Sequence, residues 1–136
     1  MEQIRRASGF AWGLRLLCVI DGLALFVSLL LPLSPALRLF TTALLWGPTI
    51  GFVSITWFRL CGLIGYGCYH AASALAPFVI CAFADGNCSP LVFLPAAFHA
   101  WMATLVLRFH WLISALDSHE RAELRRIPYR RAGGGR

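Results

Sequence analysis

The run Leu23-Ala24-Leu25-Phe26-Val27-Ser28-Leu29-Leu30-Leu31 is apolar on every face of a helix and shows no strand-like alternation of polarity. A helix with no polar face is either the core of a large protein or a segment in lipid. The chain is too small for the first solution. Of its 136 residues, 59% are hydrophobic and 13% charged, and mean hydropathy is +0.71. Soluble domains carry roughly 45–50% apolar and about 25% charged residues. A core of this size does not hide the excess. The composition therefore excludes a water-soluble globular enzyme and predicts an all-α integral membrane protein.

Working outward from that run, four apolar stretches emerge: 16–34, 36–57, 60–83 and 90–116. Each reaches or approaches the ~20 residues that carry a helix across a ~30 Å hydrocarbon layer. The links are Pro32–Pro35, Phe58-Arg59 and Ala84–Pro90. Links this short make successive helices antiparallel neighbours, so the expectation is a four-transmembrane-helix up-down bundle. Residues 1–15 read as a basic N-terminal flank, 16–116 as the membrane domain and 117–136 as a basic tail. In that tail Asp117–Arg126 prolongs the fourth helix and the end is disordered. Asp21-Gly22 interrupts the first stretch and no small-x-small cleavage site follows it, which favours a retained span over a signal peptide.

All twelve basic residues are arginine, against six acidic ones, for a net charge of +6. With four spans both termini share a side. That side gathers Arg5, Arg6, Arg15, Arg59, Arg121, Arg125, Arg126, Arg130, Arg131 and Arg136, whereas the other keeps only Arg38. The positive-inside rule puts both termini on the cytoplasmic side, with Trp12, Trp57 and Trp111 near the inner boundary. A bacterial inner membrane is the first expectation for the location and a eukaryotic organelle membrane the second. The arginines flank apolar runs and make no soluble patch with exposed aromatics, so the expected contacts of Arg5, Arg6, Arg121, Arg125, Arg126, Arg130 and Arg131 are anionic lipid headgroups or an acidic partner, and nucleic acid is not expected.

The five cysteines contain no C-x-x-C. Cys18, Cys61 and Cys68 read as small hydrophobes, while Cys81 and Cys88 bracket a short loop and could close a disulfide on an oxidising side.

Few polar residues fall inside the apolar stretches. Asp21 lies about a turn inside the first and Arg108 at a similar depth in the fourth, so either the two form an intramembrane ion pair or each snorkels to the headgroups. His70 and His99 fall near mid-depth of the third and fourth stretches, and two facing histidines are what a b-type haem requires. Gly47, Gly51 and Ser54 share one helical face in a G-x-x-x-G setting, and Gly62 and Gly65 follow on the next helix; these suit close helix packing. No H-E-x-x-H, G-x-S-x-G or P-loop occurs, so neither an enzyme nor a metal centre is expected and haem is the single cofactor weighed.

These features predict a small non-catalytic accessory or assembly subunit that packs against other integral-membrane subunits. In span number and in the position of Asp21 alone, the chain resembles the small multidrug resistance exporters. That resemblance implies an alternative, a homo-oligomeric proton-coupled transporter using Asp21, although the one-sided arginines depart from the dual topology used in that family. A third expectation is a haem-carrying anchor of a respiratory enzyme through His70 and His99.

Overall fold

The computed structural model describes residues 2–32, 34–83, 90 and 93–126. Among these no strand occurs, and the regular elements are α1 (Glu2–Leu29), α2 (Pro35–Leu44), α3 (Trp46–Trp57), α4 (Leu60–Phe83), α5 (Phe93–Ser114) and α6 (Ser118–Arg126). The all-helical expectation holds. Among the described residues one helix, over Gln3–Leu29, is long and apolar enough to cross a membrane. The second apolar stretch is split into helices of 10 and 12 residues.

Prolines and caps set the breaks. Toward Pro32 the end of α1 tightens, with Leu30 N–H bonded to the Val27 carbonyl at 3.0 Å and Leu31 N–H to Ser28 at 3.2 Å. Pro35 opens α2, where its missing N–H costs nothing. Pro48 has no N–H to offer the Leu44 carbonyl, and the chain turns at Leu45 between α2 and α3. There the Leu45 N–H is shared between the Thr41 and Thr42 carbonyls at 3.3 Å each, and Thr49 Oγ1 donates to the Leu45 carbonyl at 2.9 Å. Phe58 ends α3 in the left-handed region (φ 51°, ψ 44°), costly for a bulky residue. Its ring is buried against Phe109, with centroids 6.2 Å apart, which offsets that cost.

Three helices carry the core on heptad seams. Ile4, Ala7, Ala11, Leu14, Cys18 and Asp21 are buried at alternating steps of three and four along α1. Leu63, Tyr66 and His70 continue that spacing on α4, as do Met102, Val106, Phe109 and Ile113 on α5, with Leu116 just beyond. Residues 2–15, expected as a flank, are thus the first half of α1. Neighbours run antiparallel: Gly51 meets Tyr66 and Gly47 meets Tyr69, while His70 meets His99 and Phe78 meets Phe93.

The tail does not prolong α5. Asp117 Oδ1 accepts from the Glu120 N–H at 2.7 Å, and the Asp117 N–H donates to Glu120 Oε2 at 3.1 Å. This reciprocal capping box starts a separate α6, whose Leu124 is buried in the cluster that holds Ile4 and Leu116. The expected disorder of 132–136 lies outside the described residues.

Candidate functional site: a buried polar layer

Above the apolar end, the same seams turn polar. Asp21 on α1 is 5% exposed, and its Oδ2 has no hydrogen-bond partner. One turn below, the Cys18 thiol donates to the Tyr66 hydroxyl at 3.2 Å. Asp21 interacts electrostatically with Cys18, Tyr66 and Tyr69. The two tyrosine rings stack with centroids 6.0 Å apart and lie directly on the backbone of α3.

Glycine makes that approach feasible. A methyl group at Gly51 would sit 2.6 Å from the Tyr66 ring, and one at Gly47 would sit 2.6 Å from the Tyr69 ring. The G-x-x-x-G face therefore cradles two tyrosines of the same molecule. Ser54 is buried and packs on Gly62, where a methyl would collide with its Oγ. Gly65 behaves differently: it is exposed, and a methyl there would meet nothing within 4 Å.

His70 is fully buried, and its Nδ1 lies 2.8 Å from Nδ1 of His99 on α5. Its Nε2 has no hydrogen-bond partner. Tyr66 and Tyr69 each present an edge-to-face contact to His70, at 4.5 and 5.0 Å between centroids, and Phe98 flanks His99 at 5.6 Å. The depth match read from sequence thus becomes direct contact. Two axial imidazoles on one iron need ligating nitrogens roughly 4 Å apart, twice a metal–imidazole bond of about 2 Å. The rings would have to part to admit a haem.

Arg108 is not beside Asp21. It is exposed and adjoins Phe109, which stacks on Phe10 with centroids 5.8 Å apart. Phe10 precedes Asp21 by eleven residues on one helix, so Arg108 lies roughly 16 Å from Asp21 along the bundle axis at about 1.5 Å per residue. The depth match expected from sequence placed the start of the first helix at Leu16, whereas α1 begins at Glu2.

Among the basic residues, Arg5, Arg6 and Arg125 are exposed and Arg121 is half-buried, all at the end of the bundle where α1 starts and α6 folds back. Arg130 and Arg131 lie outside the described residues, and the side chain of Arg126 is not described. Cys81 is disulfide-bonded, and Cys88, its expected partner, also lies outside the described residues. Cys18, Cys61 and Cys68 are free thiols.

The Cys18–Tyr66 contact and the ring cradle are what sequence reading missed. The signal was present in the spacing, since Tyr66 and Tyr69 sit one helical step apart, as small residues do on the facing helix. Comparison with protein-family models, with characterised proteins and with solved structures gives no match, so the site rests on its own geometry.

Proposed function

We propose that the chain is a non-catalytic membrane subunit that assembles laterally with other integral-membrane chains. The observation that carries this reading is the outer face of α4. Cys61, Gly65, Cys68, Ala72 and Ala76 lie exposed at steps of four, three, four and four along that helix. Small residues at this spacing let a second helix approach closely, and in lipid such packing drives association where the hydrophobic effect cannot. The glycines of α3 are already filled by tyrosines of the same chain. The α4 face has no such internal occupant at Gly65.

Two free thiols on that face supply the test. Mild oxidation in native membranes, followed by mass identification of what is linked to Cys61 or Cys68, should yield an adduct with a different membrane chain. Gly65→Leu and Ala72→Leu should abolish it while leaving the helical content unchanged. A link only to a second copy, or no link at all, would sink the reading.

A second reading rests on Asp21 and its unpartnered Oδ2. In it the chain is a homo-oligomeric proton-coupled transporter. Efflux from vesicles measured with Asp21→Asn decides it, since unaltered efflux removes Asp21 from any transport step.

A further inference from the structure

The contact between His70 and His99 is chemically unusual. Each ring presents the same atom, Nδ1, to the other. For a 2.8 Å hydrogen bond one Nδ1 must carry a proton and the other must be bare, so the two rings must hold different tautomers. Two Nδ1 atoms brought to one point from two helices also make a two-ligand metal site once the shared proton moves to Nε2 of its ring. We propose that His70 and His99 bind one monovalent copper ion, Cu(I), between their Nδ1 atoms. The inference does not depend on the assembly role of α4.

Two observations select the ion. Among the described residues no group of three or more His, Cys, Asp or Glu gathers around a point. Structural zinc takes four protein ligands and catalytic zinc three, so a site of two imidazoles fits a metal content with two-coordinate geometry. The surroundings are aromatic: Tyr66 and Tyr69 pack on His70, which is fully buried, and Phe98 flanks the half-buried His99. The cost of burying an ion rises with the square of its charge, which favours a single positive charge between neutral imidazoles over a double one.

The movement needed is small. A linear N–Cu–N unit spans roughly 4 Å at about 2 Å per bond, so the rings separate by about 1 Å from their present contact. His99 is the more exposed of the two rings, so the smaller repacking lies on its side. Once both Nδ1 atoms are ligands, both rings take the same tautomer with the proton on Nε2.

The test uses the full chain in detergent, with Cys61→Ser and Cys68→Ser to remove the exposed thiols. Cu(I) is offered anaerobically as its bicinchoninate complex with ascorbate as reductant. The protein should withdraw about one copper per chain, and the copper X-ray absorption spectrum should show two nitrogen neighbours near 2 Å and no sulfur shell. His99→Gln, at the more exposed position, should weaken retention by at least about 100-fold, more than loss of an outer-shell partner does. His70→Gln should do the same. Absence of copper uptake, a sulfur shell, or equal retention by His99→Gln would overturn the proposal. Tighter retention of Zn(II), offered in a parallel titration of the same chain, would overturn the choice of ion. The copper spectrum needs neither histidine variant to fold, because the two serine replacements fall only at exposed positions.

Discussion

The two ends of the bundle follow one packing rule and spend it differently. At the end where the chain starts, the seam positions are Ile4, Ala7, Ala11 and Leu14 on α1, and Phe109, Ile113 and Leu116 at the end of α5 and beyond it, closed by Phe58 and Leu124. In the layer above, equivalent seam positions hold Cys18, Asp21, Tyr66, His70 and His99. The first region satisfies itself by close packing. The second leaves Asp21 Oδ2 and His70 Nε2 without partners, and a buried polar atom left so costs about 1–3 kcal/mol. A bundle built only to be stable would carry leucine there, so the difference marks the polar layer as the part shaped by something other than packing.

The comparison is most easily broken at its apolar end. Phe109 is fully buried and touches both Phe10 and Phe58, so Phe109→Ala should destabilise the fold by about 3–5 kcal/mol, read from denaturant unfolding in detergent. A loss below about 1 kcal/mol would mean that this end is not the foundation of the bundle. In the polar layer the sign should reverse. Asp21→Leu removes an unpartnered oxygen from a buried seam and should raise stability by about 1–3 kcal/mol in the same assay. A loss of stability would show that the carboxylate has a partner within the fold. The smallest effect sharpens the boundary of the apolar end: Asp117→Ala opens the capping box and should cost about 1 kcal/mol, visible as fraying of α6 in amide exchange with little change in α5.

Much of this was legible in the sequence, for identifiable reasons. The bounds of α4, Leu60–Phe83, coincide with the third apolar stretch because Phe58-Arg59 punctuates one side of it. The breaks near Pro32 and Pro35 follow from the prolines, whereas the break at Leu45, ahead of Pro48, falls inside the stretch 36–57 expected as a single span. What was not legible depended on reading charge before periodicity. Arg5 and Arg6 mark residues 1–15 as a flank, yet the three-four spacing from Ile4 to Leu14 already makes that segment a helix face. Starting α1 at Leu16 placed Asp21 near the boundary and level with Arg108; starting it at Glu2 separates them by about three turns. The pair His70 and His99 was legible as a match of depth. The contact of the two Nδ1 atoms was not, because ring rotation is decided by Tyr66, Tyr69 and Phe98 around them. The separate α6 was written in Asp117-x-x-Glu120, a capping signal that hydropathy does not register.

The turn at Phe58 carries one further consequence, for which lengths of chain this fold tolerates. Between Gly51 and Tyr66 the path consists of two helices and a link of two residues held by the bond from the Arg59 N–H to the Ser54 carbonyl at 2.9 Å. One residue added or removed within either helix turns everything beyond it by about 100°. Tyr66, Tyr69 and His70 would then leave the glycine cradle together and face away from His99. Variation in length is therefore confined to the segments outside this hairpin, and the spacing from Gly47 to His70 behaves as a fixed ruler along the chain.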